Sequence, residues 1–136
     1  MKYLLDTHIL LWALADSEYL PDMARKIIQD RNNEIYYSLA SNWEVEIKHL
    51  KFPERFTLTS KQLSNLCNIS DYKKLHIKEN HIESITLIDS CVVGDKDIHK
   101  DPFDKLLFAQ AIADNLIFIT HDKLFSIYKS QNLLIV

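Results

Sequence analysis

Four acids, Asp6, Glu44, Asp104 and Asp122, are placed where a carboxylate can do chemistry. Each is expected at or just after a strand-to-helix junction. In a parallel sheet such junctions share one edge, and ligands of open α/β sheets bind outside the carboxyl ends of the strands. Four carboxylates meeting there repel one another, so protons or cations must compensate. Hard divalent cations take oxygen ligands, and Mg²⁺ combines one or two carboxylates with waters and phosphate oxygens. Such an ion acidifies a bound water, orients it in line with a phosphodiester and neutralises charge on the leaving oxygen. Three of these acids also have a plainer reading. Glu44 and Lys48 are spaced for an i, i+4 ion pair. Asp101 and Asp104 can form a reciprocal helix cap, and Asp122 can simply start a turn. For Asp101 the plain reading is preferred. Lys48 reads as a solvated or phosphate-facing cation, not a catalytic base.

The elements that must position these acids are legible in order. Lys2–Leu5 is a short strand ended by Asp6, and Thr7 can cap a helix running through Leu14. Pro21 opens a second helix, amphipathic through Met23, Ala24, Ile27 and Ile28. Glu34–Ser38 is the second strand, rich in β-formers. Ser38 or Ser41 caps the next helix, which runs to about Leu50, before Phe52-Pro53. Leu39, Trp43, Ile47 and Leu50 recur as one stripe of that helix and are expected on the core. A helix over 60–69 capped by Ser60, a strand over Lys74–Ile77 and a helix over Asn80–Ile88 follow. Residues 89–100 form a polar loop in which Asp95 and Asp97 are solvated acids. Pro102 fits the first position of a largely buried helix, with Asp101 as its N-cap and Asp104 in its first turn. Asn115 stops it, Leu116–Ile119 is a buried strand, and Leu133–Val136 closes the sheet. Strand–helix alternation gives an α/β fold with a mostly parallel sheet covered on both faces.

A chain of 136 residues with 47% hydrophobic and 26% charged residues and one glycine, Gly94, is expected to form one globular domain over 1–136. Cys67 and Cys91 have no metal-ligand spacing and no disulfide framework, so both read as free thiols of a reducing cytoplasm. Asp6 and His8 interrupt the apolar start, arguing against a signal peptide, and no span approaches membrane length. The net charge of −3 gives no electrostatic footprint for nucleic acid, but a bound cation would supply its own positive charge. The six histidines (His8, His49, His76, His81, His99 and His121) lack metal-ligand spacing and read as surface or loop residues. A Gly-rich phosphate loop and a nucleophile motif are both absent.

Four stretches in order resemble PIN-domain proteins. They are Asp6-Thr7-His8; Ser41-Asn42-Trp43-Glu44-Val45-Glu46-Ile47-Lys48; His99 to Leu107 with Ala109-Gln110-Ala111; and Thr120-His121-Asp122. The similarity is to the VapC-like toxins of type II toxin–antitoxin systems, in the branch carrying the DPFD motif. It implies a three-layer α/β/α PIN-like domain and an endoribonuclease dependent on Mg²⁺ or Mn²⁺. It places Asp6, Glu44, Asp104 and Asp122 as the acidic quartet, the first three as the firmer ligands and Asp122 acting through water. Thr120 resembles the family's hydroxyl residue, Thr7 follows the first acid, and Ser41, Lys48, Asp101 and Lys105 stand near the site. Lys105 replaces a frequent Arg, keeping charge without the bidentate fork. A homodimer silenced by a cognate antitoxin is implied by the same resemblance.

The resulting expectation is hydrolysis of RNA by an activated water, leaving a 5′-phosphate and a 3′-hydroxyl without a covalent intermediate. One rival is a PIN-like module that only binds RNA or protein. Another is an aspartyl-phosphate phosphatase using Asp6; such enzymes usually carry a second acid two residues on, where this chain has His8.

Overall fold

A computed structural model of the chain describes residues 1–93 and 101–136. The elements are β1 (Lys2–Leu5), α1 (Thr7–Leu14), α2 (Asp22–Gln29), β2 (Glu34–Ser38), α3 (Leu39–Lys51), α4 (Ser60–Ile69), β3 (Lys73–Leu75), α5 (Glu79–Glu83), α6 (Ile85–Asp89), α7 (Pro102–Ala113), β4 (Ile117–Thr120) and β5 (Leu133–Ile135). A 3₁₀ turn over Lys123–Ile127 joins the last two strands. Gly94, Asp95, Asp97, His99 and Lys100, and with them most of the expected polar loop, lie outside the described residues.

The five strands form one sheet in the order β3-β2-β1-β4-β5, and every pairing is parallel. The chain builds outward from β1 to β3, then returns to the other side of β1 for β4 and β5. The strand order thus reverses at β1, which opens a crevice at the carboxyl edge between β1 and β4. Side chains of a strand alternate between faces, and both faces are buried. Leu4 and Phe118 enter one core with Leu107, Phe108 and Ile88. Tyr3, Leu5, Ile35, Tyr37 and Ile119 enter the other with Ile9, Leu10, Val45 and Leu63. This is the expected layered α/β arrangement. Among the described residues no helix is long and apolar enough to cross a membrane.

The ends of α7 form as its local signals require. Asp101 accepts from the Phe103 and Asp104 N–H groups, Pro102 begins the helix, and Asn115 takes a left-handed φ of 54° just past its end. Elsewhere the structure corrects the expectation. Asp6, not Thr7, caps α1, and Thr7 is the first helical residue. Ser38 caps α3, and Thr59 caps α4 in a capping box with Gln62. The expected helix over Asn80–Ile88 is two short ones broken at Ser84.

The expected core stripe of α3 is wrong. Trp43 is 57% and Leu50 73% exposed, while Ala40, Ser41, Asn42 and Val45 are buried. Polar partners select the buried face. Asn42 Nδ2 donates to Ser60 Oγ at 3.0 Å and Ser64 Oγ at 2.9 Å, and the Ser60 N–H donates to Glu46 at 2.7 Å. His81 is the second correction: it is fully buried, not a surface residue. Its Nδ1 accepts from the Lys78 N–H at 3.0 Å, and its Nε2 lies 3.0 Å from Asp114 Oδ2 at the end of α7.

Candidate metal and phosphodiester site

Each acid reaches the carboxyl edge by its own backbone route. The Asp6 N–H donates to Ile119 O at 2.9 Å, extending the β1–β4 ladder to the last residue before α1. Its carboxylate is 4% exposed and held from two sides. Oδ1 accepts from the Thr7 N–H at 2.7 Å and Oδ2 from the Thr120 hydroxyl at 2.6 Å. The same hydroxyl accepts from the Asp122 N–H at 3.0 Å. Asp122 in turn caps the 3₁₀ turn, accepting from the Leu124 N–H at 2.9 Å.

Glu44 stands in the second turn of α3, with Lys48 Nζ at 3.2 Å from its Oε2. The i, i+4 pair therefore exists, and Glu44 lines the cleft as well. Asp104 arrives differently from the expectation of a strand-to-helix junction. It occupies the first turn of α7, which leads into β4, so the helix brings its N-terminus over the edge where β4 ends.

Together these groups border a cleft of about 330 Å³ lined by Asp6, Glu44, Asp101, Asp104 and Asp122, with Lys48, His8, Trp12 and His121. Burial is the main cause that pushes the Asp104 carboxyl up to about 8, reinforced by the charges of Asp6, Asp101, Asp122 and Glu44. Burial also raises Asp6, against the hydrogen bonds from Thr120 and Thr7 and the charge of His8, while Glu44 adds to the rise. The cleft thus disfavours its own ionised state, as expected where a cation completes the charge.

Among the described residues, no three His, Cys, Asp or Glu side chains converge closely enough to hold an ion by themselves. The acids surround the cleft without forming a closed ligand set. The donor set fits a hard ion that uses one or two carboxylates and keeps its waters, and it does not fit a closed all-protein cage.

Of the remaining expected residues, Thr7 and Ser41 are buried behind the cleft, their hydroxyls 2.9 Å apart, where they join α1 to α3. Thr120 binds the acids from behind, Lys48 and Asp101 line the cleft, and Lys105 does not. His8, Trp12 and His121 also line the cleft, which no motif of the sequence indicates. His8 and Trp12 fall at i and i+4 of α1, so their common face was readable from spacing; His121 joins them only through the fold.

The PIN-domain family model matches residues 3–130 of the chain. A search of curated proteins finds no match. Among solved structures the chain is similar to VapBC2 from Rickettsia felis bound to a DNA fragment from its promoter, at 20% identity and a TM-score of 0.68, covering 100% of this chain and 98% of that one. It is also similar to a toxin–antitoxin complex from Klebsiella pneumoniae, at 18% identity and a TM-score of 0.61, covering 97% and 95%. A third is VapBC-1 from nontypeable Haemophilus influenzae, at 18% identity and a TM-score of 0.57, covering 90% and 87%. At these identities the likeness is one of fold. The match of the family model over nearly the whole length decides the family: the chain belongs to the PIN-domain proteins.

Proposed function

We propose that this chain is a metal-dependent endoribonuclease and the VapC-like toxin of a toxin–antitoxin pair. One observation carries the reading: Asp6, Glu44, Asp104 and Asp122 border a single open cleft at the reversal point of a parallel sheet. Asp6, Glu44 and Asp104 would be the firmer ligands of Mg²⁺ or Mn²⁺, with Asp122 acting through water. When bound, that ion supplies positive charge for the phosphate oxygens and acidifies a water.

The protein's own part is positioning. Thr120 and the Thr7 N–H hold the Asp6 carboxylate in one orientation, so little reorganisation is left for the reaction. Lys48, beside Glu44 on the cleft lining, would meet a neighbouring phosphate of the substrate. RNA as substrate and an antitoxin as partner are supported by the family and by the toxin–antitoxin complexes among the fold's neighbours. A cationic side chain of the antitoxin could silence the cleft by neutralising its acids, and a homodimer is proposed on the same family grounds.

The deciding experiment incubates the purified protein with a defined RNA pool, with and without Mg²⁺, and maps the fragment ends. Ion-dependent fragments with 5′-phosphates support the reading; intact RNA in the presence of Mg²⁺ and Mn²⁺ overturns it.

A further inference from the structure

The acidic cleft has one wall that is neither acidic nor explained by ion binding. Trp12 is half-buried on α1 and lines the cleft. The His8 ring lies beside it at 5.9 Å between centroids, and the His121 ring meets it nearly edge-on at 5.7 Å. His121 is itself held through Nδ1 by the backbone oxygen of Val136. Tyr19, 71% exposed, continues the row outward, its ring 6.3 Å from the indole. An aromatic row thus leads from the acids to solvent.

We propose that Trp12, flanked by His8 and His121, is the stacking wall for the nucleobase next to the scissile phosphate. The inference rests on the nuclease reading and deepens it by naming what holds the substrate. A nucleotide beside the reacting bond brings a flat π-face together with a phosphate. This cleft offers an indole, two imidazoles and the Lys48 ammonium on its lining. Stacking on an aromatic side chain tolerates any base and needs that base free of its own neighbours. The wall therefore selects unpaired nucleotides, because in an A-form duplex the face that Trp12 requires is already covered.

The test reads binding without cleavage. In a Trp43→Phe background Trp12 is the remaining tryptophan, and its fluorescence is followed during titration with a fully phosphorothioate single-stranded ribo-oligonucleotide in Ca²⁺. Quenching is expected with the single strand and not with the same strand annealed to its complement. Read instead by the anisotropy of the same oligonucleotide carrying a dye, Trp12→Ala should weaken binding about tenfold or more, whereas Trp12→Phe, which keeps a ring and the packing of α1, should stay within about threefold. Equal affinity for the parent and Trp12→Ala overturns the proposal. Equal loss in the Ala and Phe variants, or equal quenching by duplex, also overturns it. A protein that binds in the expected way and cuts nothing would overturn the nuclease reading alone; one that cuts RNA with Trp12→Ala indifferent would overturn the wall alone.

Discussion

The Thr120 hydroxyl donates to Asp6 Oδ2 at 2.6 Å across 114 residues of sequence, and the same oxygen accepts from the Asp122 N–H at 3.0 Å. One buried hydroxyl therefore fixes the first acid of the cleft and the backbone of the last. Because Thr120 holds Asp6 toward its ionised form, losing it lets the Asp6 pKa rise further. Thr120→Val should move the acid limb of the pH–rate profile to higher pH and cost about 1 kcal/mol of stability. Thr120→Ser, which restores the hydroxyl, should return the profile to that of the parent.

Asp104 makes the ion-free protein less stable as pH rises. Its carboxyl keeps its proton up to about 8 in the folded chain, against an ordinary value of 3.8. The folded state therefore binds more protons than the unfolded state between those values, and its stability declines across that window. Asp104→Asn should remove most of the decline. In EDTA at pH 9 the variant should exceed the parent by about 1 to 2 kcal/mol once solvent screening at the cleft mouth is allowed for, with little difference at pH 4. Urea unfolding at the two pH values measures both.

Activity should show the opposite dependence on Asp104. Asp6→Asn and Asp104→Asn should each lower the cleavage rate about a hundredfold or more, with circular dichroism unchanged. EDTA should abolish cleavage, and Mg²⁺ or Mn²⁺ should restore it. Protons and cations compete for the same carboxylates, so raising Mg²⁺ should shift the acid limb of the rate profile to lower pH. A limb that does not move with Mg²⁺ would separate Asp104 from the ion.

His81 serves the fold, away from the cleft. Replacing it with Ala leaves the Lys78 N–H and the Asp114 carboxylate without this ring, at a cost of about 2 kcal/mol. The denaturation midpoint should fall, while cleavage per folded molecule stays at the level of the parent, since His81 does not line the cleft.

What the sequence alone determined is whatever acts within one turn or one strand. Asp101-Pro102 started α7, Asn115 stopped it, and short runs of consecutive apolar and aromatic residues marked β1 and β2. The four acids were legible as a set, because their positions beside those signals put Asp6, Asp104 and Asp122 at element ends and Glu44 within two turns of one. Tertiary structure decided what depends on partners far along the chain. The buried face of α3 follows Asn42, whose partners Ser60 and Ser64 lie 18 and 22 residues away, and a stripe count on α3 alone could not see them. His81 is drawn inside by Asp114 at the far end of α7. The aromatic wall arises only because β1 and β4 are neighbours, which sets His121 against Trp12. Capping and periodicity are local energies, whereas a helix face or a cleft wall is chosen by the pairing order of strands that a linear reading does not contain.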